Sequence, residues 1–173
     1  KGSMVIPGEI SYDLAYTAAK LTSFTGSGTL SNFVGKTFKG ATSGVIATVV
    51  NSVVADGTDP NTLYVKYLRA GTDNTTQTFS DGETINESSS TGTLVTGGFS
   101  AVVSATATGS SANVAQGVYY INGFMVQVSA QTIILDKYTA TPSYRVGLQV
   151  SESFIQSTDD ASLLDNAQGS SNV

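Results

Sequence analysis

Apolar and polar residues alternate along this chain in short runs, and the runs end at Gly, Asn, Asp or Ser. No stretch sustains the i, i+3, i+4, i+7 spacing by which a helix buries one face, whereas alternation of period two marks a half-buried strand. Residues 11–24 read as one strand or two, with the Ala18-Ala19 pair admitting a short helix, and Gly26-Ser27-Gly28 ends them. Residues 36–40 predict a short strand and 44–54 a long apolar one. Asp56-Gly57-Thr58-Asp59-Pro60-Asn61 then predicts a turn, because Asp and Asn bond back to their own backbone and Pro fixes one φ. Residues 62–68 alternate with Leu63, Val65 and Tyr67 on one face. Residues 71–76 form a polar turn, 79–85 lead into a short strand, 86–98 make a Ser/Gly/Thr-rich loop, and 99–108 close the block as a strand of small residues. Turns recurring every 8–12 residues or so point to a small five-stranded barrel or sandwich over residues 25–108. Gly109-Ser110-Ser111 reads as a linker.

The last third carries a stronger local signal. Residues 117–128 hold Asn122-Gly123 between two apolar runs, and a type I′ hairpin turn needs φ > 0 at both central positions. Residues 131–136 predict another strand. Residues 143–155 predict a long one, with Tyr144, Val146, Leu148 and Val150 alternating against Ser143, Arg145, Gly147 and Gln149. Residues 159–167 fit one helical turn, with an Asp as its N-cap.

Composition narrows the chemistry. The 173 residues include no His, no Cys and no Trp. No Ser-His-Asp or Cys-His arrangement can be built from such a chain, and the usual zinc, copper and haem ligand sets are missing. Disulfides are excluded as well. Charged residues are 12% of the chain, against about 25% in soluble domains, while Ser and Thr make up 46 positions. The net charge of −5 argues against nucleic acid, which needs a basic footprint. No apolar run reaches the length of a membrane span, and no signal peptide is visible at the start. Lys1-Gly2-Ser3-Met4 reads equally as a remnant of tag removal and as native chain.

Several clusters can be weighed as sites. Asp56 with Asp59, and Asp159 with Asp160, are carboxylate pairs of the kind used in glycoside hydrolysis, though turn formation and capping account for all four. Asp73-Asn74-Thr75 and Ser80-Asp81-Gly82-Glu83 offer oxygen ligands for calcium without EF-hand or nonapeptide spacing. Asn74-Thr75-Thr76 and Asn86-Glu87-Ser88 are sequons, relevant only to a secreted eukaryotic protein. One of Tyr119 and Tyr120 faces outward on a strand, as a cross-strand partner or as a stacking surface for a sugar ring. Gly26-Ser27-Gly28 opens no helix and so is no phosphate cradle. The reading assigns no catalytic, cofactor-binding or metal-binding residue and no cofactor.

The run 117–126, followed by Thr132-Ile133-Ile134-Leu135-Asp136-Lys137-Tyr138 and Pro142-Ser143-Tyr144-Arg145-Val146-Gly147, resembles an uncharacterised domain of phage tail-fibre and baseplate-associated proteins, notably from phages of marine bacteria and cyanobacteria. The opening 5–12 and the closing 165–172 are similar to the same family. Residues 40–47, 62–67 and 79–85 are similar to a small β module of virion proteins. The resemblance implies an all-β fold: an antiparallel β-sandwich formed by 5–24 with 112–160, a small barrel of 25–108 inserted between its strands, and a C-terminal turn or linker at 161–173. It implies a virion location and a non-enzymatic role as a rigid scaffold in tail assembly or host attachment. The expected partners are two further copies in a homotrimer and other tail or baseplate proteins. Members are usually longer, so the chain is expected to be a piece of a larger protein. The alternative is a carbohydrate-binding module for host surface glycan. A carboxylate-only depolymerase is the enzymatic reading left open.

Overall fold

The computed structural model describes residues 3–25 and 28–163. Ten strands are present: β1 (Ser3–Ile6), β2 (Ile10–Thr25), β3 (Thr37–Gly40), β4 (Ile46–Val53), β5 (Thr62–Arg69), β6 (Thr84–Ser88), β7 (Ser100–Val114), β8 (Gly117–Ile121), β9 (Phe124–Val128) and β10 (Gln131–Asp136). All pairings are antiparallel. The fold is therefore all-β, built of two antiparallel sheets, and the all-β class is the one that the alternation predicts.

The larger sheet runs β10-β7-β2-β5-β4-β3-β6, and β6 pairs again with β7. That last pairing, Thr84↔Val102 to Asn86↔Ser100, closes six strands into a barrel. Sequence reading expects five strands here. The five expected already include β7, and the sixth is β2, whose inner end pairs with β5 and β7. Closure removes the free edges that an open sheet would present. Inside sit Ala19, Leu21, Leu30, Phe33, Phe38, Val45, Val49, Leu63, Val65, Phe79, Ile85 and Val103, all buried. Phe33 comes from a 3₁₀ turn, Leu30–Phe33, too short to leave a helical period in the sequence. Its ring stacks on Phe38 at 5.1 Å and meets Phe24 edge-on and Phe99 at a tilt.

β2 and β7 continue beyond the barrel. Their ladder runs from Thr25↔Ser100 through Leu21↔Val103 to Ile10↔Val114. Between Asp13 and Tyr16 the register shifts, and the Asp13 carboxylate accepts the Ala15 N–H at 2.9 Å, occupying a donor that the bulge takes out of the ladder. The outer part of this ribbon, joined by β10, forms a stem. Gly109-Ser110-Ser111, expected as a linker, instead lies inside β7. Ser110 pairs with Asp136, Ser111 with Asp13 and Ile134, and both serines are fully buried. Small residues suit a middle strand covered closely on both sides as well as they suit a loop.

The second sheet, β1-β8-β9, hangs from the stem where Gly8 and Gly117 cross. A Cβ on Gly117 would stand 2.7 Å from the Gly8 Cα, so only glycine permits this crossing. The Tyr119 hydroxyl donates to the Gly8 carbonyl at 3.2 Å, and the Ala115 N–H to the Glu9 carbonyl at 2.9 Å. The β8–β9 turn has Asn122 at φ 50 and Gly123 at φ 95, the expected left-handed pair.

The expected strand at 143–155 does not form. These residues have no ladder partner among the described residues and are almost wholly exposed. Alternation prepares a strand, but hydrogen bonding to a neighbour makes one. A 3₁₀ turn spans Ala161–Leu163, and the Ser162 N–H bonds to the Asp160 carboxylate at 2.9 Å, so capping by Asp is found there. Residues 164–167 of the expected turn lie outside the described residues. Because Phe33 is enclosed by three other rings, Phe33→Ala is expected to cost about 3–5 kcal/mol in a denaturant titration.

Candidate functional site

The acidic groups singled out from the sequence are bound into the fold. Asp56 and Asp59, in the β4–β5 turn, converge on Lys137, just after β10. Lys137 Nζ donates to Asp56 Oδ2 and, at 3.0 Å, to Asp59 Oδ2. Asp56 also accepts the Asp59 and Thr58 N–H groups at 3.0 and 3.3 Å. The Lys137 bond, followed by those two backbone bonds, holds the Asp56 carboxyl at about 2, and the two carboxylates push Lys137 above its ordinary value. Next along, the Tyr138 and Thr62 hydroxyls share a hydrogen bond of 2.7 Å, and Lys20 Nζ lies 3.8 Å above the Tyr138 ring. The Tyr64 hydroxyl donates to the Lys137 carbonyl at 3.1 Å, and its ring stacks on Tyr16 at 4.9 Å. Residues 137–138 thus latch the outgoing chain onto the barrel.

The two calcium candidates are likewise occupied from within. Asp73 accepts the N–H groups of Thr75 and Thr76 on Oδ1 and their hydroxyls on Oδ2, at 2.7–3.0 Å. The Thr76 bonds come first in holding its carboxyl below the usual range. Glu83 is buried and accepts four bonds, from the N–H groups of Thr42, Ser43 and Ser80 and from the Ser43 hydroxyl, at 2.7–3.0 Å. Four hydrogen bonds of this kind are what a buried carboxylate without a cation needs. Asp81 stands apart, accepting the Thr106 N–H at 3.2 Å. Among the described residues no group of three His, Cys, Asp or Glu converges as a metal site would require. Of the sequons, Asn74 is exposed in a left-handed turn, while Asn86 lies inside β6 with Ser88 buried.

Sequence reading misses one ion pair and two clefts. Lys36 Nζ meets Glu87 Oε1 at 2.5 Å, and Glu87 Oε2 accepts the Phe99 N–H at 3.0 Å. Burial alone would raise the Glu87 carboxyl, but the Lys36 and Phe99 bonds together hold it below its usual range. A groove of about 670 Å³ lies at the bulge where barrel meets stem, lined by Tyr16 and Tyr67 with Asp13, Lys66, Asn113 and Thr132 among its polar neighbours. Burial pushes both tyrosine hydroxyls up, so they remain donors at neutral pH. A second cleft, about 510 Å³, places Lys39 and Arg69 together with no carboxylate in its lining. The residues named sit on β2, β3, β5, β7 and β10, so only the folded topology reveals the clefts. Of the tyrosines weighed on the hairpin, Tyr119 is half-buried against Gly8 and Tyr120 is exposed.

No family model, no curated protein and no solved structure matches the chain.

Asp56 and Glu87 are both depressed in the fold. Their stabilisation is complete above their ordinary values of 3.8 and 4.5 and is lost as pH falls through their folded values, near 2 for Asp56. The melting temperature is therefore expected to fall as pH drops from 5 to 2. Asp56→Asn with Glu87→Gln should melt lower at pH 7 and show a flatter profile below pH 4.5, both read from thermal scans across pH.

Proposed function

We propose that this chain is a non-enzymatic structural module of a phage tail fibre or baseplate-associated protein, a rigid β scaffold in tail assembly or host attachment, present as a homotrimer among other tail proteins. The observation that carries this reading is the sheet β1-β8-β9. Its only buried position is Gly117, and Met4, Val5, Ile6, Phe124, Met125 and Val126 are bare although they alternate between both faces. A small sheet uncovered on both faces is the form of a part built to be covered in an assembly. The resemblance of residues 117–126 and 132–138 to tail proteins supports a phage tail as that assembly. Lys137-Tyr138, within that stretch, supplies the latch onto the barrel.

The depolymerase reading is the less favoured one. A glycosidase acid needs a carboxyl whose pKa is raised. The carboxyls of Asp56, Asp73, Glu87 and Asp160 are instead held below the usual carboxylate range by the hydrogen bonds they accept.

The test is the particle itself. In virions purified from the phage that encodes this sequence, mass spectrometry should find the tryptic peptide spanning residues 138–145, and immunogold should decorate the tail. Virions that lack the peptide would refute the proposal.

Host-glycan binding is a second reading, favoured by the groove that sets Tyr16 and Tyr67 beside Asp13, Lys66 and Asn113. Aromatic faces with polar neighbours suit a sugar ring. On an array of host polysaccharides, Lys66→Ala with Asn113→Ala should weaken any binding at least tenfold. A blank array for the unmodified chain removes this reading.

A further inference from the structure

The chain exposes 10,766 Å² of surface. A compact folded chain of 17.8 kDa exposes about 8,000 Å², so the excess is about 2,800 Å². Even counted as fully extended, the fourteen residues outside the described ones carry no more than about 1,900 Å². At least about 900 Å² therefore belongs to the described residues, the unpaired segment after β10 included, close to the 800 Å² or so that one partner gives to a standard protein interface.

The uncovered area is not spread evenly. The barrel leaves six large apolar residues bare, among them Val54 and Leu94, whereas eleven collect on β1, β9 and residues 144–155, where Phe154 is 96% exposed, Met125 65% and Tyr144 64%. β1 and β9 are also free of charge. From Ser88 to Leu135 there is no Asp, Glu, Lys or Arg, and β1 has none either. Natural sheets protect their open edges with charges, prolines or bulges. β9 ends its sheet with none of these in its sequence.

An occupant of matching form exists within the same chain. Residues 143–150 alternate like a strand, have no ladder partner among the described residues, and expose Tyr144, Leu148 and Val150. They pass near β10 and lead toward the β8–β9 turn, where Asn122 Nδ2 reaches Glu152 Oε2 at 3.3 Å, but they do not pair with their own β9. Two copies of a chain with net charge −5 repel each other least when an uncharged strand of one meets a segment of the other whose single charge is the cation of Arg145.

We propose that the free edge of β9 takes residues 143–150 of a second copy of this chain as an added strand. Backbone bonds supply the attachment, and the bare side chains of β1 and β9 supply the apolar contact. The proposal rests on the self-association named above and adds where it occurs. It does not depend on the protein being in a virion.

The test uses the full 173-residue chain. Light scattering on a sizing column at tens of micromolar should give an integral multiple of 17.8 kDa, and Phe124→Lys with Met125→Lys should shift it to 17.8 kDa with the barrel still folded by circular dichroism. A monomeric unmodified chain overturns the proposal, and so does an oligomer that the two lysines leave intact. Because the chain has no cysteine, Met125→Cys with Leu148→Cys can be linked by a short bismaleimide. Products of twice the chain mass or more are expected, and a product of single mass, or none, overturns the pairing. Hydrogen exchange on the unmodified chain guards against a misfolded variant. Residues 144–150 should be protected in the oligomer, and rapid exchange there would overturn the added strand. If all of this holds and virions still lack the protein, only the tail assignment fails.

Discussion

The ladder between β2 and β7 is the constraint on which the rest depends. It holds the barrel at one end and the stem at the other, in a single run of antiparallel pairs from Thr25↔Ser100 to Ile10↔Val114. β5 and β6 close on its inner half, and β10 and the glycine crossing to the second sheet depend on its outer half. A strand shared by two bodies transmits force through backbone hydrogen bonds rather than through a flexible joint. The Asp13 bulge is the place where the ribbon changes direction, and the groove lined by Tyr16 and Tyr67 lies there for that reason.

Electrostatics in this molecule serve closure. Glu83 gathers backbone from the β3–β4 turn and from the approach to β6, Lys36 joins β6 to the start of β3, and Lys137 ties the exit of β10 to the β4–β5 turn. Each joins segments remote in sequence. With so few charges, most of the surface is left to Ser, Thr and apolar strands. That division separates a satisfied barrel from an uncovered stem.

What could be read from the sequence was local. The Asn122-Gly123 turn, the β4 and β5 strands and the aspartate turn are all dictated by residues that neighbour one another, and all appear where expected. Three features escape because their cause is remote. The Ser110-Ser111 pair looks like a linker until β2 and β10 enclose it. The sixth barrel strand is β2, whose residues come before the block that the turn spacing marks out. The Lys137 clasp joins positions about 80 residues apart that share no pattern. Residues 143–155 fail in the opposite sense, since their alternation is right for a strand that has no partner within the described chain.

The shared ladder also sets the order of events in folding. Thr25 must find Ser100 and Ile10 must find Val114, so the contacts that unite the two bodies close loops of roughly 75 to 105 residues. Such non-local pairing places the chain among slow folders, in the millisecond-to-second range, rather than with helical bundles. During synthesis β2 must wait, its apolar face open, until β7 has left the ribosome. The many serines, threonines and small residues in both strands then take on a kinetic meaning: they keep a long unpaired ribbon soluble while its partner is still being made.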